Sequence, residues 1–372
     1  MNLAKSLAAA AAAGDLDTMR AALGEDPALV TGWKPMMDAC YAGRVEAVAL
    51  LLENGADANV QSRGPFYYRP LHRTVEYKKT APKHEGHHRA VELLLDAGAD
   101  PMMTGSGSLI SAVALCATGE ATEFLPAMLQ RVSGPHDIFH ASVLGEEARV
   151  NALLKKDPSL ATAHDRGTRI WTDDKGWTAL TYCVSSRVGN DDEERRKALV
   201  RIARTLLDHG ADVAGSLDLA IYTDNLGMIE TLLKAGATPG DDDNLNHAAC
   251  DGRFEALNLL LESGIRMDGT RGTGHHGGYT PLGCAVSSRS IKGAKWFLEN
   301  GQDPNRIKSK EGENCLHVAV HYGAGDKMLQ LLLEYGARLD QKDSQGRTPL
   351  ARAREKKHRK AIAFLEAAGA RA

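Results

Sequence analysis

One pattern recurs along the chain and decides what it can fold into. VEAVALLLENGADANV at residues 45–60 joins an amphipathic helical stretch to a glycine stop and an extended, Asp/Asn-rich tail. It returns as AVELLLDAGADP (90–101), ARTLLDHGADV (203–213), IETLLKAGATP (229–239) and ALNLLLESGIRMD (256–268). Three further copies are AKWFLENGQDPN (294–305), MLQLLLEYGARLD (328–340) and AIAFLEAAGARA (361–372). Apolar residues three and four apart fall on one face of a helix. The glycine supplies the left-handed backbone that ends it. One such helix cannot bury its face alone, so the copies must stack, and length then says little about domain number.

Composition agrees with a stack. Apolar residues at 43% and charged residues at 25% describe a folded chain. Aromatics are only 5%, which suits thin, closely packed helices better than a thick β core. A net charge of −3 gives no general pull toward nucleic acid or an anionic membrane. No apolar run reaches membrane-spanning length, so neither partner is expected. Cys40, Cys116, Cys183, Cys250, Cys284 and Cys315 are scattered, without a disulfide framework or zinc spacing. Free buried thiols in a reducing, cytoplasmic setting are the expectation. The Ala-rich run at residues 6–14 carries the alternative of an export signal. It passes smoothly into a helix–turn–helix pattern, and a first, capping repeat is expected at 1–33.

Each copy also has a first half, a short helix. It reads GGYTPLGCAV (277–286), GRTPLARAR (346–354), GWTALTYCV (176–184), RPLHRTV (69–75) and NCLHVAV (314–320). Thr can cap the orphan N–H groups of a helix, and Pro is tolerated in its first turn. These residues resemble the ankyrin-repeat family: a Gly-x-Thr-Pro-Leu-His start, a short helix, a Leu-Leu-rich helix and a Gly-Ala-Asp close, at about 33 residues per repeat. The resemblance covers nearly the whole chain. It implies an all-α solenoid of stacked helix–turn–helix units with β-hairpin-like connecting loops. It further implies recognition of a protein or peptide, and a structural, hydrogen-bonding role for His72 and His317.

The closing glycines test the period. Gly98 and Gly210 lie 112 residues apart, room for two degenerate copies at 108–132 and 137–165. The second of these closes with Asp-Pro-Ser-Leu, as the first repeat closes with Asp-Pro-Ala-Leu. About eleven units result, in one solenoid spanning 1–372 with a C-terminal cap at 346–372.

Departures from the period point to function, because solenoid insertions map to loops, often on the binding face. Insertions are read at 61–70, 76–88, 165–177, 185–197 and 266–279. Arg63, Phe66, Tyr67, Tyr68, Arg169, Trp171, Trp177, Arg271 and Tyr279 lie in them, and aromatic and Arg residues dominate interface hot spots. Alignment of the short helices also picks a row on their concave side: Asp38, Arg73, His140, Tyr182, His247, Cys284, Val318 and Arg352. Its polar members Arg73, His140, Tyr182 and His247 join the candidate binding residues, as do the adjacent His275 and His276.

Catalytic and metal signatures are missing. HEGHH at 84–88 lacks the spacing that places two zinc-binding histidines on one helix face, and no phosphate loop, dinucleotide fingerprint or nucleophile elbow occurs. No metal site, cofactor or catalytic residue is assigned. The expectation is a non-enzymatic scaffold that binds a protein or peptide through its groove and aromatic loops. The alternative is an enzyme or small-molecule binder whose long loops roof the groove, with His140, His247, Asp38 and Arg73 in acid–base or anion-binding roles.

Overall fold

The computed structural model describes residues 3–63, 67–76, 85–105, 110–119, 121–165, 176–239, 242–265, 279–306 and 312–371. Two compact units, Met1–Asp212 and Val213–Ala372, are each built of helix pairs. In the first unit the pairs are α1 (Leu3–Ala13) with α2 (Leu16–Glu25), α3 (Trp33–Ala42) with α4 (Val45–Glu53), and α5 (Pro70–Val75) with α6 (Glu85–Asp96). They continue as α7 (Ala112–Thr118) with α8 (Leu125–Leu129), α9 (Ile138–Leu144) with α10 (Glu147–Lys156), and α11 (Ala179–Ser185) with α12 (Glu193–Asp208). In the second unit they are α13 (Ser216–Thr223) with α14 (Leu226–Lys234), α15 (Asp242–Asp251) with α16 (Phe254–Glu262), and α17 (Pro281–Ser287) with α18 (Ile291–Glu299). The last two are α19 (Cys315–Tyr322) with α20 (Asp326–Glu334) and α21 (Pro349–Glu355) with α22 (Arg359–Ala367). Among the described residues this gives eleven helix pairs, the number read from the repeats.

Within each unit the first helices of successive pairs pack against one another, and most of the second helices do likewise. The core is the leucine face that defines the repeat. Leu51, Leu94, Leu154 and Leu206 in the first unit, and Leu232, Leu260, Phe297 and Leu332 in the second, are buried. All six cysteines are free thiols, five of them buried. The two Asp-Pro closes form short 3-10 turns whose leading carboxylates, Asp26 and Asp157, accept from the Ala28 and Ser159 backbone N–H.

Two devices stitch neighbouring repeats beyond apolar contact. Asn59 donates to Gly98 O (2.9 Å) and accepts from Asp100 N (2.8 Å). Asn305 repeats this with Gly336 O and Arg338 N at the same two distances. At the start of the second helix of a pair, Arg44, Arg253 and His358 make no cap bond to their own helix. Their side chains cross to the preceding repeat instead, reaching Ala12 O (3.2 Å), Ile221 O (3.0 Å) and Val320 O (3.0 Å).

Two insertions are shorter than the sequence pattern indicates. Helix α6 starts at Glu85, so the last four residues of the 76–88 insertion are its first turn, and buried His87 bonds Tyr41 O through Nε2 at 3.2 Å. The acidic run before α12 caps that helix. Asp192 accepts from Arg195 N (3.0 Å), and Glu193 and Glu194 occupy the first turn, where the helix dipole favours carboxylates. The 165–177 insertion is framed by an antiparallel pair of two-residue strands, β1 (His164–Asp165) and β2 (Trp177–Thr178).

Candidate functional site

In the first unit an arginine sits between two tyrosines. The Arg73 guanidinium, on α5, lies 4.3 Å from the Tyr41 ring centroid on α3 and 5.0 Å from that of Tyr68. Both distances fall within cation–π range. Glu76 holds the arms of the group together. It pairs with Arg73 and accepts from the Tyr68 hydroxyl at 3.3 Å. Burial, followed by the Glu76 charge, raises the Tyr68 pKa, so the ring stays neutral. Arg69 pins the loop from below, donating to Asn59 O and Thr104 O at 2.6 and 2.8 Å. Tyr67 stands outward, 40% exposed, with a left-handed φ of 43°. That backbone is rare for a bulky residue, and such strain clusters at ligand contacts.

A second cluster joins three repeats in the other unit. Arg352 on α21 and Glu313 before α19 are 5% and 2% exposed and form an ion pair. Arg352 also lies 3.7 Å from Asp343 and donates to His321 Nδ1 at 3.0 Å. The other oxygen of Glu313 accepts from the Tyr279 hydroxyl at 3.2 Å. Burial and the Glu313 charge push the Tyr279 pKa well above the ordinary tyrosine value. Tyr279 meets Tyr322 edge-on at 6.5 Å, and Tyr322 is 39% exposed. Burial raises the Asp343 pKa, but hydrogen bonds from Arg347 outweigh it and hold the carboxyl below its usual range. Removing one partner of such a buried pair strands a charge, so each fixes the position of the others.

The remaining expected residues separate into three groups. Tyr182 is fully enclosed and ties down the hairpin base: its hydroxyl donates to Asp165 (2.6 Å), and its ring packs against Trp177 (5.2 Å) and Phe139 (5.6 Å). Cys284 and Val318 of the same row are also buried, so the row is part packing and part surface. His247 and Arg63 are exposed. Asp38 accepts from Lys34 at 2.7 Å. Phe66, Arg169, Trp171, Arg271, His275 and His276 lie outside the described residues.

His140 occupies the third position of its helix, as His72 and His317 do in theirs, but bonds differently. In His72 and His317, Nδ1 accepts from the N-cap backbone (3.3 and 3.1 Å) and Nε2 donates forward to Ile110 O and Arg347 O, both at 2.9 Å. In His140, Nδ1 donates to the Asp137 carboxylate at 2.9 Å and Nε2 accepts from Ser111 Oγ–H of the preceding repeat at 2.8 Å. This Ser–His–Asp line has the connectivity of a hydrolase relay. However, Ser111 is 1% exposed and its oxygen caps α7 by accepting from Ala114 N. The line therefore stitches two helix starts.

Tyr41, Glu76, Glu313, His321 and Tyr322 join these clusters without having been singled out in the sequence. Tyr41 and His321 share a signal: each lies two residues before the glycine of its helix turn, Gly43 and Gly323. A shallow apolar cleft at the first repeat, lined by Leu7, Leu29, Trp33 and Pro35, completes the surface features. Among the described residues, no group of three or more His, Cys, Asp or Glu is placed to hold a metal, and no helix is long and apolar enough to cross a membrane.

A family model described as Ankyrin repeats (3 copies) matches residues 7–105, 217–308 and 300–371, well over half of the chain. The chain belongs to the ankyrin-repeat family. Among similar proteins, this ankyrin-repeat chain is 31% identical over 128 residues to cyclin-dependent kinase 4 inhibitor B of Bos taurus, covering 34% of the chain and 93% of that protein. It is 32% identical over 181 residues to ankyrin repeat protein nuc-2 of Neurospora crassa, covering 47% of the chain but 15% of nuc-2. Among solved structures, the ankyrin repeat domain of Bcl-3 matches with a TM-score of 0.48 at 23% identity, covering 63% of this chain and 100% of that one.

Proposed function

We propose that this ankyrin-repeat protein is a non-enzymatic scaffold that binds a polypeptide partner, with the Tyr41–Arg73–Tyr68 stack and outward Tyr67 as the anchor. The observation that carries the proposal is the arginine held between two rings, one of them Tyr68, which directly follows the strained, exposed Tyr67 in the chain. Tyr and Arg are among the side chains that most often dominate binding energy, and here Glu76 holds Tyr68 and Arg73 before contact. Concave solenoid surfaces are built for extended ligands. The similar kinase inhibitors act on a protein, as their name states, which supports a polypeptide as the class of ligand. The Tyr279–Glu313–Arg352–Tyr322 cluster is a second contact point in its own unit.

Affinity capture from a cell extract tests this, comparing the native chain with Tyr67→Ala/Tyr68→Ala/Arg73→Ala after thermal melts show both folded. The expected result is that a species captured by the native chain falls at least about tenfold in the variant, the loss of two or three hot-spot side chains. Undiminished capture of every specific species would remove this patch from the binding surface.

A further inference from the structure

The helix turns of the last three repeats carry a row of cations without ion-pair partners among the described residues. These turns lie at 288–290, 323–325 and 356–358. Helices α17, α19 and α21 pack side by side in that order, as do α18, α20 and α22. The turns joining them therefore follow one another along one edge, and the His358 bond to Val320 O ties the third to the second. Arg289, Lys292, Lys327, Lys356, Lys357, Arg359 and Lys360 stand exposed along this edge. None has an ion-pair partner among the described residues, whereas the nearby Lys295, Arg347 and Arg354 are paired with Glu299, Asp343 and Glu366. The chain as a whole is at −3, so the edge is a local reversal of sign.

Among the described residues, none of these side chains makes a hydrogen bond or ion pair within the fold. Arg359 and Lys360 occupy the first turn of α22, where the positive end of the helix disfavours cations and no acid is present. Lys357 takes a left-handed φ of 57° where Gly323 sits in the preceding repeat. Local rules broken together, with no compensating contact, mark a functional constraint.

We propose that this edge docks an acidic polypeptide segment in extended form. Adjacent packed helices lie about 10 Å apart, and an extended chain in polyproline II form advances about 3.1 Å per residue with about three residues per turn. Acidic side chains at every third residue therefore meet successive turns. Asp326 interrupts the row, while Glu355 is already paired with Arg347. A duplex or bilayer of uniform negative charge confronts Asp326, while a peptide can set a neutral residue opposite it.

The test measures fluorescence anisotropy of a labelled peptide of about twelve residues with Glu at every third position. It is titrated with the full chain at about 50 mM and about 500 mM NaCl. Expected are binding at the lower salt, at least about tenfold weakening at the higher, and a similar loss in Lys356→Gln/Lys357→Gln/Arg359→Gln/Lys360→Gln. The charge-keeping variant Lys356→Arg/Lys357→Arg/Lys360→Arg should bind as the native chain does. All the substituted side chains are exposed, and circular dichroism checks that each variant is folded. Absence of binding at the lower salt, or binding indifferent to the Gln substitutions, overturns the proposal. So does tighter, Gln-sensitive binding of phosphatidylserine vesicles or duplex DNA than of the peptide, which assigns the edge to that polyanion instead.

Discussion

At the scale of single residues, the buried histidines act through the proton they exclude. His72 is sealed between Arg69 N and Ile110 O, and burial lowers its pKa to about 4, against an ordinary value near 6.5. Between these values the unfolded chain binds the proton and the folded chain does not, so unfolding gains as pH falls. The stabilisation is complete above pH 6.5 and declines down to about 4. His317 is shifted in the same direction and for the same leading reason. Urea melts at stepped pH are expected to show midpoints dropping through this window, with a flatter profile in His72→Gln. An unchanged slope in that variant would place the sensitivity elsewhere. Asn59 and Asn305 act by a neutral route. Each makes two hydrogen bonds to the neighbouring repeat's backbone, and at about 1 kcal/mol per bond Asn305→Ala is expected to lower stability by roughly 1–2 kcal/mol in chemical denaturation.

At the scale of elements, the turn between the two helices of a repeat determines local stability. Gly43, Gly145, Gly252 and Gly323 adopt positive φ there, while Arg289 and Lys357 do so with side chains. Left-handed backbone costs a side-chain residue about 1–2 kcal/mol, so Arg289→Gly should stabilise the chain by up to about that amount, less the entropy glycine adds to the unfolded state. Gly323→Ala should destabilise it, through backbone alone, because an added Cβ meets nothing within 4 Å. Thermal melts of the two variants are expected to move in opposite directions. These turns were legible in the sequence because glycine marks most of them. So were the Asp-Pro closes, where one carboxylate caps one short turn. The start of α6 was not: a His-rich stretch looks like a loop until Tyr41 O is found to hold His87. Similarly, the row position of Arg352 could be read from the repeat, but its burial could not, because Glu313 lies 39 residues earlier in the chain.

At the scale of the whole molecule, the repeat dictated architecture and left recognition to side chains that differ between copies. Leucine spacing carries the helix pairs because every copy solves the same packing problem. The tyrosine–arginine clusters are each unique, assembled from two or three repeats, and periodicity finds the row positions of Arg73 and Arg352 but not the partners they meet. Neighbour-only contact also sets how damage spreads. In Asn305→Ala, hydrogen exchange is expected to rise most in α17 to α22 and to fade toward α13 and α14. A uniform rise across the second unit would mean that it unfolds as a single cooperative block.

The arginine and histidine clamps carry a consequence for how such a chain can change over time. Arg44, Arg253 and His358 supply the donor from a side chain, yet each acceptor is a main-chain carbonyl near the end of the first helix of the preceding repeat. Every helix offers that carbonyl, whatever its residues. A duplicated or deleted repeat would bring each clamp to a new neighbour that already holds the group it needs. The lineage could lengthen or shorten the array without re-inventing its fastenings, and selection could act on the exposed rings and charges one copy at a time.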